Sequence, residues 1–397
     1  MQIRRFTSAL LLARAVVAAP TTGATCGSLA ELESIIKQAI STQEDILDGK
    51  TTAAEKRGQT CTRDNLTVRR PWGSLKKEER KAYSDAVLCL QSLPAKTPAS
   101  VAPGAKSRYD DFVATHIIQT QKIHYTGTFL AWHRWFVYNF EQALKNECGY
   151  TGSQPYWNWA LYANDPASSP IFDGSEYSMS GNGAPVPNKG PITLTLGDFA
   201  PILLPPGTGG GCVTSGPFKD MKVNLGPVSL PLNNGTVVTG TGLEYNPRCL
   251  TRDISAGVNS RYANATSVVD LIRKNDNIGD FQMVMQGVPG SGSIGVHGGG
   301  HYTLGGDPAD DVFTSPGEPT FYLHHGMIDL VWWAWQSLDY KNRRDAISGT
   351  GTFLNDPPSP DTTLDDIVDL GYAGGGQITM RELMSIVDGP FCYTYSL

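Results

Sequence analysis

Seven histidines occur in the 397 residues. All of them stand in two clusters. His116, His124 and His133 form the first, within "RYDDFVATHIIQTQKIH" and "GTFLAWHRWFVYNFEQALKNEC". His297, His301, His324 and His325 form the second, within "HGGGH" and "PTFYLHHGMIDLVWWAWQ". A lone histidine on an apolar face is usually an ordinary core residue, but two aromatic-flanked groups are hard to produce that way. Neutral imidazole is a common ligand for zinc, copper and iron, and each cluster can supply three nitrogens. No cysteine, aspartate or glutamate stands within either cluster at ligand spacing. All-imidazole sets argue against calcium and magnesium, and they lack the carboxylates of typical di-iron or hydrolytic di-zinc sites. Two three-histidine sites on helices therefore point to two copper ions.

The elements that carry these residues follow from periodicity. His116 and His124 are eight residues apart on a helical pattern and so share a face two turns apart. Gly127 breaks that pattern, so His133 must come from the next helix. His297 and His301, four apart, are adjacent on one helical face. His324 and His325 point about 100° apart on a helix and cannot face one target together. Periodicity does not choose between them. Phe321, His325, Ile328 and Trp332 form one apolar stripe, and His324, Met327, Val331 and Trp335 form another.

Upstream, "SLAELESIIKQAISTQEDIL" and "SLKKEERKAYSDAVLCLQSL" carry apolar residues at helical spacing, with Ser28 and Ser74 as expected N-caps. From about 162 to 265 the texture turns to Gly, Pro, Ser and Asn, including "LPPGTGGG" and "LNNGTV", which predicts loops and short strands. Helical pattern returns at 266–287 and 319–345. With no internal repeat, the chain reads as one mainly α domain, 26–397, with a long irregular insert.

A net charge of −6 argues against nucleic acid as a partner. No apolar run reaches the ~18 residues that a membrane helix needs. Residues 1–19, "MQIRRFTSALLLARAVVAA", read as a secretory leader, with Arg4 and Arg5 before the apolar stretch, although Arg14 interrupts it. Sequons at Asn65, Asn234 and Asn264 fit a secreted chain. Seven cysteines without any CxxC pair fit up to three disulfides and one odd thiol.

The stretches "HYTGTFLAWHRWFVYNFEQAL", "PYWNWA" and "PTFYLHHGMIDLVWWAWQ" resemble the copper A and copper B regions of the tyrosinase, catechol oxidase and haemocyanin superfamily. "SSPIFDGSEYSMSGNGAPVP" and "GGGCVTSGPFKDMKVNLGPV" resemble the secreted fungal short tyrosinases, and "YTYSL", with Tyr393 and Tyr395, resembles the motif that closes their catalytic domain. The resemblance implies copper A on His116, His124 and His133, and copper B on His297, His301 and His325. It implies a four-helix bundle around the copper pair, with long irregular loops and a few short strands. It further implies oxidation of small phenolic substrates, o-diphenols to o-quinones, with reduction of dioxygen to water. Ending at the tyrosine motif, the chain is expected to carry no C-terminal shielding domain. His324 becomes a neighbour of copper B rather than a ligand.

Several positions depart from the family pattern. Many relatives tether the second copper A histidine to a cysteine, but Lys122 and Ile123 precede His124 and the nearest upstream cysteine is Cys89. Where hydroxylating tyrosinases are thought to use a glutamate and an asparagine to activate a water, this chain has Gln286 and Gly298. A neutral amide is no base, and glycine has no side chain to orient a water. That favours catechol oxidase over monophenol-hydroxylating tyrosinase or o-aminophenol oxidation. Three glycines in "HGGGH" each cost a helix about 1 kcal/mol relative to alanine, so packing must compensate or the space above copper B must need them. Val312 matches the family's gate position. Arg134 and Asp329, inside apolar runs, are expected to pair, and Asp329 to steady the helix of His325. Trp132, Trp135, Phe321, Trp332 and Trp333 are expected to exclude water from the metals. A haemocyanin-like dioxygen carrier is the alternative from another class; the absence of an oligomerisation module favours an enzyme.

Overall fold

The computed structural model describes residues 26–50, 61–233 and 235–397. The expected leader and the Asn234 sequon lie outside the described residues. The protein is mainly helical. Its helices are α1 (Cys26–Leu47), α2 (Lys77–Ser92), α3 (Arg108–Ile123), α4 (Phe129–Cys148), α5 (Ala256–Tyr262), α6 (Ala265–Lys274), α7 (Ile278–Gln286), α8 (Gly295–Leu304), α9 (Phe321–Leu338) and α10 (Tyr340–Arg343). Strands of two to four residues, paired two by two, fill the stretch from Gly183 to Cys249. This matches the loops and short strands expected there.

The centre of the molecule is α9, which is buried at every position except Leu338. A helix apolar on all sides has no solvent face to offer, so it must be enclosed. It packs against α1, α4, α6 and α8. α3 begins with a reciprocal cap: Ser107 Oγ accepts the Asp110 N–H and the Asp110 carboxylate accepts the Ser107 N–H. It ends at Ile123, and the chain turns through Tyr125, held at φ 50°. Gly127 lies against the Thr362 side chain, where a Cβ would come within 2.5 Å, so the turn into α4 requires glycine. Gly149, at φ 69°, closes α4.

Several sequence expectations change. Ser28 lies inside α1, which starts at Cys26, and its hydroxyl accepts from Thr266. Ser74 closes a short turn by donating to the Pro71 carbonyl, so α2 starts later, with the Glu79 carboxylate accepting the Lys76 N–H. The pattern at 266–287 is two helices, split by the Asn275–Asn277 turn, and 319–345 likewise divides into α9 and α10. The Asn264 sequon is spent as a buried N-cap: its side chain accepts from Ser267 N–H and donates to the Ser260 carbonyl.

Among the described residues, three disulfides join Cys61 to Cys392, Cys89 to Cys148 and Cys212 to Cys249. Near the first, Thr67–Arg69 pairs in parallel with Tyr393–Tyr395. That pairing brings Arg69, Tyr393 and Tyr395 onto α9, where both phenols donate to Asp329 Oδ2 at 2.6 and 2.5 Å. Arg134 of α4 donates to Asp329 Oδ1 at 2.5 Å, and Arg69 bonds Glu141 at 2.8 Å. Burial opposes ionisation of Asp329, but Arg134, Arg69 and the two phenols hold its carboxyl below the usual range. The expected Arg134–Asp329 pair is therefore part of a larger buried network that fastens the C-terminal strand to the helix bearing His325.

Candidate metal centre

All seven histidines converge at the core, none more than 8% exposed. In the first group each ring donates its Nδ1–H to a backbone carbonyl: His116 to Phe313 at 2.8 Å, His124 to Thr120 at 2.9 Å, His133 to Phe129 at 2.8 Å. A carbonyl only accepts, so Nδ1 carries the proton and Nε2 keeps its lone pair. The Nε2 atoms of His116 and His133 are buried with no partner among the described residues. The three ring centres stand 5.1 to 5.7 Å apart. His124 is not on the helical face expected for it. The helix ends one residue earlier, and extended backbone at His124 (φ −120°, ψ 141°) swings the ring inward.

The second group comes from α8 and α9. His297 and His301 share a face of α8 as expected, with ring centres 4.8 Å apart. His325 Nε2 and His301 Nε2 face each other at 3.3 Å, and His297 Nε2 is buried without a partner among the described residues. Burial first, and neighbouring rings second, keep these imidazoles neutral: His124 falls to about 4, His301 to about 3, and the other five lie well below the ordinary value. Neutral rings with inward, unpartnered nitrogens are what a soft or borderline cation binds. The two groups abut, because the His133 and His325 rings stack at 4.4 Å.

Geometry separates the doublet. His325 lies between the two groups, against His133, with Phe321 packed on it at 4.2 Å. His324 lies on the far side, against Trp159 at 5.2 Å and His301 at 4.5 Å. It is fully buried, and neither of its ring nitrogens has a hydrogen-bond partner among the described side chains and backbone. Its nitrogens lie close enough to those of His297, His301 and His325 to share an ion with them. From the sequence His324 is only a neighbour of the metal; in the structure it offers a fourth nitrogen within reach.

The glycines of "HGGGH" now have separate reasons. A Cβ at Gly300 would sit 2.2 Å from His324 Nδ1, and one at Gly299 would sit 2.8 Å from Tyr262 Cβ. At Gly298 a Cβ would meet only the Ile294 side chain, at 2.9 Å. A cavity of about 210 Å³ opens there, reaching His124, His297 and His301. Gln286, Gly298 and Val312 all line it, and Val312 is 37% exposed. Gln286 is engaged at both ends: Oε1 accepts the Tyr125 N–H at 2.7 Å and Nε2 donates to the Gln282 carbonyl at 3.2 Å. It braces the strained residue that follows His124.

Tyr125, the carbonyls of Thr120, Phe129 and Phe313, and the insert residues Leu196 and Phe199 over the cavity were not legible in the sequence. Only the Thr120–His124 and Phe129–His133 pairs had a signal, a four-residue offset. Trp132 packs on His133 at 4.9 Å and Phe129 on His297 at 4.9 Å, as an aromatic shell requires. The other expected tryptophans pack elsewhere in the core: Trp135 on Tyr138 and Phe391, Trp332 under Arg134, and Trp333 on Tyr395. Cys89 is committed to Cys148 and so is not available to His124.

Residues 106–338 match the family model described as the common central domain of tyrosinase. The chain is 41% identical over 334 residues to Tyrosinase P of Aspergillus terreus, covering 84% of this chain and 93% of that one. It is 41% identical over 357 residues to N-acetyl-6-hydroxytryptophan oxidase of Emericella nidulans, covering 85% and 94%. Among solved structures, a mutant polyphenol oxidase from Thermothelomyces thermophila superposes with a TM-score of 0.84 at 46% identity. That match spans 94% of this chain and 99% of the other.

Proposed function

Because the chain belongs to the tyrosinase family of type-3 copper proteins, we propose that it is a copper-dependent catechol oxidase. Two o-diphenols would be oxidised to two o-quinones while one dioxygen is reduced to two waters. His116, His124 and His133 would hold copper A, and His297, His301 and His325 copper B, within the bundle of α3, α4, α8 and α9. The unpartnered Nε2 atoms of His116, His133 and His297 fit that role, since an empty buried acceptor is costly unless something binds it. Bound there, the copper pair supplies the two-electron redox chemistry. The protein orients the imidazoles through backbone carbonyls, admits a ring-sized substrate above His297 and His301, and keeps the remaining sides dry with aromatic residues.

One observation supports the choice of catechols: among the described residues, no exposed carboxylate lines the cavity. Gln286 is neutral and engaged at both ends, and Gly298 offers nothing. Asp310, the only carboxylate of the lining, accepts the Gly306 N–H on Oδ2 at 2.8 Å and has no partner on Oδ1 among the described residues. Burial pushes its carboxyl well up and so disfavours the ionised base. A phenol with a pKa near 10 keeps its proton at neutral pH, so a monophenol depends on such a base. A catechol is more acidic and more easily oxidised, and depends on it less.

Hydroxylation of monophenols is the second reading, favoured by the relative named a tyrosinase and by the open face at Gly298 and Val312. A dioxygen carrier fits less well, since a carrier has no use for a ring-sized cavity beside its metals. Oxygen uptake by the copper-loaded protein with 4-methylcatechol and, separately, with tyrosol decides among them. Fast uptake with the catechol and a long lag or none with tyrosol is expected. Lag-free tyrosol oxidation would overturn the catechol preference. The three disulfides support secretion, and the core running unbroken from Leu32 to Tyr395 supports a single catalytic domain.

A further inference from the structure

A second cavity, about 250 Å³, adjoins the one over the histidines. Leu194, Thr195, Leu196, Tyr302, Val312 and Phe353 line both, so these side chains form the partition between them. Each chamber alone is smaller than the ~300–1,000 Å³ that drug-sized ligands occupy, and the first is about the size for one substituted ring. The partition is not rigid core. Val312 and Thr195 are exposed, and Leu194, Leu196, Tyr302 and Phe353 are half-buried. The hairpin that carries Leu194 to Leu196 is fixed at its base, where Ile192 and Leu204 pack on Val258, Tyr262 and Ile294. Its tip reaches over the mouth, with Phe199 against Gly290.

The chemistry of the two chambers differs. The first is mostly apolar beyond its histidines, and the polar groups Gln286 and Asp310 in its lining already bond to Tyr125, Gln282 and Gly306. The far one adds Gln121, Thr193 and Ser229, whose side chains hydrogen-bond to no other described residue. Among the described residues, neither chamber is lined by a lysine or an arginine; Asp310 is the only acid of the first, and the far chamber has none. In a chain with 18% charged residues, such a lining leaves no partner for a charged substituent, and an unpaired charge moved out of water is penalised. Neutral donors and acceptors such as amides or hydroxyls meet no such penalty.

We propose that the two chambers form one bipartite substrate site, with the diphenol ring over the histidines and an uncharged, hydrogen-bonding substituent beyond Val312 in the far chamber. This rests on the diphenol-oxidising reading for the ring and names the class of phenol that is oxidised. Thr193, Gln121 and Ser229 would be the residues that recognise the substituent.

The test uses the copper-loaded full chain and catechols that differ only in their tail. N-acyl-dopamine carries a neutral amide, dopamine a cation, 3,4-dihydroxyphenylacetate an anion, and 4-methylcatechol no tail. The amide is expected to exceed both charged catechols in kcat/KM by about tenfold or more. Val237 lines the far chamber and not the first, so Val237→Trp, which fills the far chamber, should raise KM for the amide about tenfold and leave 4-methylcatechol within twofold. Thr195→Arg, at an exposed position, should improve the anionic catechol about three- to fivefold without added bulk in the core. Binding of the non-oxidisable N-acyl-2-phenylethylamine, measured by titration calorimetry, should weaken in Val237→Trp in parallel. Equal kcat/KM across the neutral and charged tails would overturn the proposal. So would a Val237→Trp effect that is the same for 4-methylcatechol. If 4-methylcatechol itself is not oxidised, the catechol oxidase reading fails, while the calorimetric comparison still decides whether the far chamber binds a neutral tail.

Discussion

Replacing Gly300 by alanine isolates how the doublet is supported. A Cβ there would stand 2.2 Å from His324 Nδ1 and 2.3 Å from Cε1, where ordinary contact begins at 3.4 Å. The ring must therefore retreat by about 1.2 Å, the difference between 3.4 and 2.2 Å. It has nowhere to go, being fully buried against Trp159. Overpacking of this kind costs ~1–3 kcal/mol, and the better helix propensity of alanine returns about 1 kcal/mol of it. The larger effect is on the metal. His324 touches His301 and precedes His325, and ligand distances tolerate only ~0.2 Å, so copper B affinity should fall ~10–100-fold. Gly298→Ala is the control, since its Cβ meets only the flexible Ile294 side chain. It should keep both coppers and gain up to about 1 kcal/mol. The assay is urea denaturation together with copper per chain in a free-copper buffer. A Gly300→Ala protein as stable and as fully loaded as the parent would refute the packing argument.

Other expectations concern the ligands, the anchor and pH. His325→Ala should lose copper B while His324→Ala keeps most of it, and the opposite pattern of metal analysis would exchange the two assignments. Asp329→Ala strips the shared acceptor from Arg134, Arg69, Tyr393 and Tyr395, so urea unfolding should show a loss of ~3–5 kcal/mol; a loss under 1 kcal/mol would mean the network is idle. Gln286→Glu keeps an acceptor for the Tyr125 N–H and adds a carboxylate beside the cavity, so the ratio of monophenol to diphenol turnover should rise tenfold or more. An unchanged ratio would show that a base there is not what limits monophenols. In the copper-free protein, His124 near 4 and His301 near 3 lie below the ordinary histidine value of about 6.5. Below pH 6.5 the unfolded chain takes up protons that the folded one refuses. The stability these rings contribute is therefore complete above that pH and erodes towards pH 4. A flat unfolding profile from pH 7.5 to 5 would contradict the burial of the rings.

The histidines were legible because their chemistry is rare in composition and their spacing is helical. His116, His133, His297, His301 and the doublet all fall on the helices that periodicity gives. The apolar face pattern of "FYLHHGMIDLVWWAWQ" likewise marks a helix enclosed on all sides. The sequence could not show that α3 stops at Ile123, because the chain just beyond it is held by residues distant in sequence: the Tyr125 N–H by Gln286 and Gly127 against Thr362. Ser28 and Ser74 were good local caps overridden by neighbouring structure. Backbone carbonyls that orient the imidazoles leave no mark in side-chain identity. The hairpin over the cavity comes from a stretch whose low periodicity gives no clue to where its tip will rest.

The most direct test is copper per chain measured together with oxygen consumption on 4-methylcatechol. Two coppers per chain and o-quinone formation, with one oxygen consumed for every two catechols, is the expected result. Copper well below two per chain, or two coppers that bind oxygen without any diphenol turnover, would contradict a dicopper catechol oxidase.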